Sequence, residues 1–151
     1  MHVTAKADYA LRAVIELALH EGTMVTRERI AAEQEIPAKY LEAILAQLTR
    51  SGILAARRGV NGGYVLGRTP AEISVADVIR AVDGPLAGVR GQRPEDVDYP
   101  ASTTALREVW IAARASLRAV LEATTVDEIA HKALSDEVVE LLHGPGAWER
   151  R

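Results

Sequence analysis

Residues 26–66 read TRERIAAEQEIPAKYLEAILAQLTRSGILAARRGVNGGYVL, and they indicate the expected architecture. Thr26 is placed to cap a short helix, a proline turn follows, and Gly52 ends a second, amphipathic helix. The apolar residues of the second helix recur at helical spacing: Tyr40, Leu41, Ile44, Leu45 and Leu48. Two helices joined by a turn of three or four residues have the spacing of a helix-turn-helix.

A basic hairpin is predicted directly after these helices. Residues 53–58 have the pattern of a short strand, and residues 64–66 have the pattern of the returning strand. Between them, Asn-Gly-Gly at 61–63 supplies the positive φ angles that a hairpin turn needs. An isolated two-stranded hairpin is only marginally stable, so it must pack against the helices. The sequence therefore predicts a winged helix with its wing at about 53–67.

Helices flank this unit on both sides. Thr4 is placed to cap a first helix that extends to about His20, and Ser74 is placed to cap a helix that ends at Gly84. Residues 84–101 contain several Gly, Pro and acidic residues, which predicts a long, mobile loop. We take residues 1–83 as the DNA-binding domain.

The C-terminal part is predicted to be helical. Ser102 is placed to cap a long helix, 102–124, and a capping box at Thr125 opens a last helix, 125–144, followed by a frayed tail at 145–151. An apolar face of the long helix, not obviously covered by its own domain, suggests pairing between helices. Its members are Leu106, Val109, Trp110, Ala113, Leu117, Val120 and Leu121. The predicted fold class is mainly α with a small β-hairpin: a winged helix-turn-helix plus a long dimerisation helix.

Composition excludes several classes of protein. The 151 residues are 48% hydrophobic and 26% charged, which is typical of one globular domain and not of a disordered chain. We expect a cytoplasmic protein, because no apolar run approaches the ~20 residues of a membrane helix and the N-terminus lacks the pattern of a signal peptide. Cysteine is absent, which excludes disulfides, thiol nucleophiles and cysteine-held metals or iron–sulfur clusters.

Charge is distributed unevenly along the chain. The formal net charge is −3, but residues 1–70 contain nine Lys and Arg against seven Asp and Glu, whereas residues 71–151 contain nine against fourteen. Residues 43–71 include four arginines, Arg50, Arg57, Arg58 and Arg68, and no acid. A local basic stripe on an acidic protein is typical of a surface that contacts phosphates.

The outer face of the second helix-turn-helix helix is small or able to hydrogen-bond. It comprises Ala38, Lys39, Glu42, Ala43, Ala46 and Gln47. Such a face can enter a major groove, where Glu42 would accept a hydrogen bond from cytosine and Gln47 would pair with adenine. Lys39 and Arg50 are better placed for phosphates.

The wing supplies the other candidate DNA contacts. Arg58 is placed to lie in a narrow minor groove, whose negative potential favours a guanidinium. Gly59, Gly62 and Gly63 would let the backbone approach DNA closely, and Arg57 and Asn61 complete the predicted set. From this pattern alone, a generic helical pair with a structural hairpin remains open as an alternative.

Four segments carry a resemblance to a known family. They are TAKADYALRA at 4–13, IPAKYLE at 36–42, RGVNGGYVL at 58–66, and ISVADVI at 73–79 followed by AVDG at 81–84. Over roughly residues 2–135 the chain resembles the Rrf2 family of bacterial winged-helix regulators, and the R-G-x-x-G-G-Y-x-L wing is the most specific match.

The resemblance implies a homodimer joined through the long helix near Trp110 and bound to a pseudo-palindromic double-stranded DNA operator, and we expect a repressor. It also implies that the positions of Tyr40 and Glu42 face the major groove and that Arg58 enters the minor groove.

The chain departs from the members of that family that bind an iron–sulfur cluster. Those members carry three cysteines in the loop after the fourth helix, often followed by a histidine ligand. Residues 86–100 contain neither residue type, and Arg107 occupies the histidine position. Because iron–sulfur cores prefer thiolates, we expect no cluster and no other cofactor, so a signal must enter another way.

Two other routes for a signal stay open. A partner protein could dock on the acidic residues Glu95 to Asp98 and on the acidic last helix. A small molecule could bind a pocket lined by Trp110 and loop residues. The four histidines are scattered, which favours surface roles over a metal site, and the chain has no nucleophile elbow or P-loop. We therefore expect no enzyme.

Overall fold

A computed structural model describes residues 2–149. Over these residues the chain forms seven α-helices and one two-stranded antiparallel hairpin, which confirms the predicted fold class. The elements are α1 (Ala5–Leu19), α2 (Arg27–Glu33), α3 (Ala38–Arg50), β1 (Leu54–Arg57), β2 (Gly63–Leu66), α4 (Val75–Asp83), α5 (Ala105–Leu121), α6 (Val126–Ala130) and α7 (Asp136–His143). No helix within residues 2–149 has the length and apolar character needed to cross a membrane.

The predicted helix starts at Thr4, Thr26 and Ser74 coincide with side-chain caps. Thr4 accepts a hydrogen bond from the Ala7 amide at 3.0 Å, and Thr26 accepts one from the Arg29 amide at 3.3 Å. Ser74 forms a full capping box, since its hydroxyl accepts from the amide of Asp77 and the Asp77 carboxylate accepts from the amide of Ser74. These bonds satisfy N–H groups that a helix start leaves unpaired.

One hydrophobic core joins the winged-helix elements. Helix α1 packs against α3, α4 and α6, and the hairpin adds Ile53 and Leu54 to the same core. The largest fully buried side chains are Val14, Leu17, Val25, Ile30, Leu41, Ile44, Leu45, Leu48, Ile53, Ile73, Val78 and Val97.

A buried carboxylate ties α1 to the end of α2. Glu16 is buried in α1, and its Oε2 accepts a hydrogen bond from Nε2 of Gln34 at 2.7 Å. The Arg12 side chain donates to the backbone carbonyl of the same Gln34. A buried polar group is costly unless it is hydrogen-bonded, so these contacts favour the observed position of the first helix of the helix-turn-helix on α1.

The prediction that Tyr40 belongs to the apolar stripe of α3 is wrong. Its side chain is 63% exposed, while the stripe that is buried comprises Leu41, Ile44, Leu45 and Leu48. At 100° per residue, Tyr40 lies about 90° from the centre of that buried arc. It therefore joins the outer face of α3.

The segment 84–101 is a loop, but it is anchored. Leu86, Pro94 and Val97 are buried, and short 3₁₀ turns form at Pro94–Asp96 and Ala101–Thr103. Arg107 on α5 donates two hydrogen bonds, at 3.1 and 3.3 Å, to the Val97 carbonyl. These contacts hold the loop against α5.

The C-terminal helices differ from the predicted boundaries. Helix α5 begins at Ala105 because the predicted cap, Ser102, lies in the preceding 3₁₀ turn. The single helix predicted over 125–144 is wrong: α6 and α7 are separated at 131–135, where Lys132 has a φ of 55°. Ser135 caps α7 by accepting from the Val138 amide, which favours a new start over continuation.

The tail is partly anchored. The Trp148 indole N–H donates to the Leu142 carbonyl at 2.8 Å, so residues up to Trp148 fold back on α7. Arg150 and Arg151 of the predicted frayed tail lie outside the described residues.

Backbone hydrogen bonds connect the segment that links α5 to α6 with the start of α4. The Val75 amide donates to the Thr124 carbonyl at 3.0 Å, and the Val126 amide donates to the Ile73 carbonyl at 2.9 Å. We call this pair of hydrogen bonds the α4–α5 joint. It attaches the C-terminal helices to the winged-helix core through main-chain atoms.

Candidate nucleic-acid interface

The outer face of α3 is exposed to solvent and does not pack against the core. Opposite the buried stripe, the exposed residues are Ala38, Lys39, Tyr40, Glu42, Ala43 and Ala46. Three of these are alanines, so the face is narrow, and the others carry hydrogen-bonding groups on the first helical turns. A face of this kind fits the major groove of DNA.

Gln47 is less available than predicted. Its side chain is half-buried, and its Oε1 is shielded from solvent and accepts no hydrogen bond from any described residue. A contact with adenine requires this side chain to turn outward from α3.

Arg27, which sequence reasoning did not single out, reaches the outer face of α3. Its guanidinium lies 3.2 Å from Oε2 of Glu42 and 3.0 Å from Oε1 of Glu28. The hydrogen bond donated to Glu28 raises the pKa of Arg27, and the pKa of Glu28 is lowered, first by its own backbone amide and then by Arg27. Glu42 is therefore paired with Arg27. Nothing in the spacing of two residues fifteen apart predicts this pair.

The hairpin is held against the segment between α1 and α2. Arg57 is opposite Gly63 in the register, and Tyr64 exchanges two backbone hydrogen bonds with Val25, at 2.9 and 3.0 Å. A Cβ on Gly63 would lie 2.6 Å from the Val25 carbonyl oxygen, so glycine permits this close approach.

The positive φ angles in the turn of the wing differ from the prediction, which placed them at residues 61–63. Positive φ angles occur at Gly59 and Gly63, and not at Asn61 or Gly62. Gly62 is required for space, because a Cβ there would lie 2.3 Å from the Arg57 carbonyl oxygen.

An open groove of about 780 Å³ lies between α3 and the hairpin. Four arginines line it: Arg27 from α2, Arg50 from the end of α3, and Arg57 and Arg58 from the wing. Glu28 is its only acid among the described residues, so the groove is positive, which suits it to phosphates. We call it the basic groove.

The predicted contact residues divide into two groups around this groove. Arg50, Arg57, Arg58, Gly59, Gly62 and Gly63 line it. Lys39, Tyr40 and Glu42 lie on the exposed start of α3, and Asn61 is exposed in the turn of the wing. Helix α3 and the wing are thus adjacent, as in a winged helix.

The apolar face of α5 is exposed at its start and covered towards its end. Of the seventeen residues of α5, all within the described range, none is buried. Leu106, Val109, Trp110 and Ala113 are exposed, whereas Leu117, Val120 and Leu121 are half-buried, and Leu121 packs on the chain's own core. The chain leaves the first half of this face without cover.

An apolar pocket of about 410 Å³ lies beside that face. Trp110, Ala113 and Leu117 line it from α5, and residues 87–90 line it from the loop. The Trp110 indole N–H donates to the Tyr99 hydroxyl at 3.1 Å. The structure thus brings Trp110 and the loop together.

The donor set does not fit an iron–sulfur cluster. The chain has no cysteine, and no group of three or more His, Asp or Glu side chains within residues 2–149 could hold a metal ion. Arg107, at the position of the family's histidine ligand, donates its hydrogen bonds to the Val97 carbonyl instead.

Comparisons with known proteins agree on one family. The sequence model of Rrf2, described as an iron-dependent transcriptional regulator, matches residues 3–132. The putative HTH-type transcriptional regulator Rv1287 of Mycobacterium tuberculosis (strain ATCC 25618 / H37Rv) is 46% identical over 150 residues, covering 99% of this chain and 93% of the relative. The HTH-type transcriptional regulator CymR of Bacillus subtilis (strain 168) is 34% identical over 131 residues, covering 86% and 90%.

Solved structures give the same result. CymR (YrzC), the global cysteine regulator of B. subtilis, matches with a TM-score of 0.75 and 32% identity, covering 87% of this chain and 98% of that chain. T. potens IscR matches with a TM-score of 0.70 and 30% identity, covering 89% of each chain. These relatives are named as regulators, and this chain is likewise a DNA-binding helix-turn-helix regulator and not an enzyme. The predicted resemblance is confirmed: the chain belongs to the Rrf2 family of transcriptional regulators.

Proposed function

We propose that the protein is a homodimeric repressor that binds a pseudo-palindromic operator through α3 and the wing. The observation that carries the proposal is the basic groove, where four arginines lie next to the exposed face of α3. Two copies related by a two-fold axis would place their α3 helices in successive major grooves. Such a regulator of chromosomal DNA acts in the cytoplasm.

The residues divide by role in this proposal. Tyr40 and Glu42 face base edges, and Gln47 reaches them once its side chain turns outward, whereas Lys39, Arg50 and Arg57 contact phosphates. Arg58 enters the minor groove beside the wing, and the exposed turn residue Asn61 follows it along the backbone. Glu42 is paired with Arg27 in the free protein. On DNA, Glu42 must therefore either keep this ion pair or leave Arg27 and accept a hydrogen bond from a base instead.

The dimer contact in this proposal is the apolar face of α5. Val109 is 54% exposed and Trp110 is also exposed, although both belong to one apolar stripe. A second copy of the stripe, antiparallel or crossed, would cover both. In this division residues 1–83 bind DNA, 102–124 dimerise, and the part from 125 to 144 supports the dimerisation helix.

Binding of the free dimer to an operator that overlaps the promoter would repress transcription. A chain without cluster ligands needs no metal to complete its interface, so the free dimer is the form that binds DNA. A signal would then release the operator.

The test is a gel shift of purified, metal-free protein on the DNA upstream of its own gene, at two salt concentrations. We expect a sharp shift that resists nonspecific competitor and weakens as salt rises. Weak binding that vanishes at the higher salt would contradict a cofactor-free repressor.

A small-molecule effector is the second candidate for the signal, and the pocket beside Trp110 favours it. An acidic docking face is less supported, since Glu95 is paired with Arg114 at 2.7 Å. In a Trp148→Phe background, Trp110 is the only tryptophan, so tryptophan emission reports on this position alone. A ligand in the pocket should change that emission, and an unchanged spectrum at a concentration that releases DNA would place the effector elsewhere.

A further inference from the structure

A second cleft, of about 460 Å³, lies between the end of α4, the following loop and α5. Arg80 lines it from α4, Arg93 from the loop, and Arg114 and Arg118 from successive turns of α5. It is distinct from the apolar pocket, which Trp110 lines. We call it the arginine cleft.

The arginine cleft carries excess positive charge. Arg114 is paired with Glu95 at 2.7 Å, while Glu122 is shared between Arg118 at 3.6 Å and Arg80. Four guanidinium groups thus face two carboxylates, which leaves two positive charges. This excess occurs in the half of the chain, residues 71–151, that is acidic overall.

Two of the guanidinium groups have spare hydrogen-bonding capacity. Arg114 is only 12% exposed, and within residues 2–149 Glu95 is its one carboxylate partner, although a guanidinium offers five N–H donors. Arg93 has no carboxylate within 4 Å among the described residues. The hydrogen bond from Arg114, and secondarily the charge of Arg93, lower the pKa of Glu95, consistent with a positive environment.

We propose that the arginine cleft binds a small phosphate monoester. Such an ester carries close to two negative charges at neutral pH, which matches the excess in the cleft. Guanidinium groups bind phosphate oxygens in a bidentate manner and are favoured for this purpose over lysine. The cleft is of the size that a metabolite needs.

The site spans two parts of the molecule. Arg80 belongs to α4 in the winged-helix core, whereas Arg114 and Arg118 belong to α5. A phosphate held between them adds a further connection between α5 and the core, besides the α4–α5 joint and the Arg80–Glu122 ion pair. This contact would fix the orientation of α5. In the proposed dimer, on which this step depends, the orientation of α5 determines the separation of the two α3 helices on DNA.

Calorimetric titration of the full chain with glycerol 3-phosphate tests the site, at a constant ionic strength of about 0.15 M so that screening does not change. Glycerol is the uncharged control, and succinate is a dianion without a phosphate. We expect one saturable site per chain for glycerol 3-phosphate. No saturable binding, or equal binding of succinate, would overturn the phosphate assignment.

The variants locate the binding. The double variant Arg93→Gln/Arg118→Gln removes two guanidinium groups that are not part of the core. Its affinity for glycerol 3-phosphate should be lower than that of the parent by at least about tenfold. Lys132→Gln, which removes the same type of charge outside the cleft, should change nothing. Equal affinity of the double variant and the parent, with unchanged circular dichroism, would exclude the cleft.

A gel shift with and without glycerol 3-phosphate separates this proposal from the previous one. If glycerol 3-phosphate changes the operator affinity of the parent but not that of the double variant, the result would support a coupling between the arginine cleft and DNA binding through α5. Saturable binding in a protein that shifts no operator would contradict the repressor and still support the ligand site.

Discussion

Arg58 follows the first strand of the wing, and its side chain is exposed beside the basic groove. Arg58→Ala should weaken operator binding and lower the slope of log affinity against log salt by about one, since one phosphate-like contact is lost. Gel shifts over a salt series measure both quantities. Lys132→Ala, which removes an exposed cation that does not line the groove, serves as the control. If affinity and slope stay at the parent values, Arg58 makes no contact with DNA.

Gly62 is the position where the wing has no room for a side chain. Gly62→Ala should destabilise the protein by about 2 kcal/mol, because its Cβ would lie 2.3 Å from the Arg57 carbonyl oxygen. Gly88→Ala is the matched control, since its Cβ would meet only an ordinary contact at 3.4 Å. Urea unfolding compares the two. An equal effect of both substitutions would mean that the turn can relax.

Residues of the site differ in how far the sequence predicts them. Arg50, Arg57 and Arg58 are visible because they are close in the chain and no acid separates them. Arg27 reaches Glu42 only across the folded helix-turn-helix. Gln47 has the spacing of an outer position, yet it is half-buried, and only tertiary packing determines that burial.

Among the elements, α6 depends on its capping box. Thr125→Ala removes the hydroxyl that accepts from the Glu128 amide at 3.2 Å and donates to the Glu128 carboxylate at 2.9 Å. Stability should fall by about 1 kcal/mol, as for other lost caps. Thr104→Ala is the control, because Thr104 precedes α5 without a capping hydrogen bond. Urea unfolding measures the free energy of unfolding of both variants. An equal loss in the two would contradict a stabilising role of the Thr125 cap.

The contact between the loop and α5 predicts a pH dependence. Arg114 lowers the pKa of Glu95, so this pair stabilises the fold above the usual pKa of glutamate and is lost as pH falls through the lowered value. Arg114→Gln should return the pKa of Glu95 towards its usual value. Carboxyl carbon NMR titration reads this directly. A Glu95 midpoint that does not move would show that Arg114 is not the cause.

Helix starts are predicted better than the breaks between helices. Thr4, Thr26 and Ser74 cap as predicted because a cap is a local interaction. The break between α6 and α7 was missed because apolar periodicity continues across it and masks the cap at Ser135. The anchoring of the loop could not be predicted either, since it depends on Arg107, ten residues beyond Val97.

For the whole molecule, the exposed start of α5 predicts a dimer. Val109→Glu should weaken dimerisation by about 3 kcal/mol, a change of about a hundredfold, because a charge would be buried unpaired at the contact. Light scattering after size exclusion measures the mass, and operator affinity should fall in parallel. Ala115→Glu places the same charge on the opposite, exposed face of α5 and should leave both unchanged. A Val109→Glu protein that stays dimeric would move the interface elsewhere.

The α4–α5 joint has a consequence for how such a regulator diverges over generations. Its two hydrogen bonds join the amides and carbonyls of Ile73, Val75, Thr124 and Val126, so no side-chain functional group takes part. Any residue except proline supplies an amide at positions 75 and 126. Because Ile73, Val75 and Val126 are buried, the mutations that can accumulate at these positions are exchanges between apolar residues of similar volume, and these leave the attachment of α5 unchanged. Descendants of one ancestral chain can acquire different signals on α5 without having to evolve a new connection to DNA.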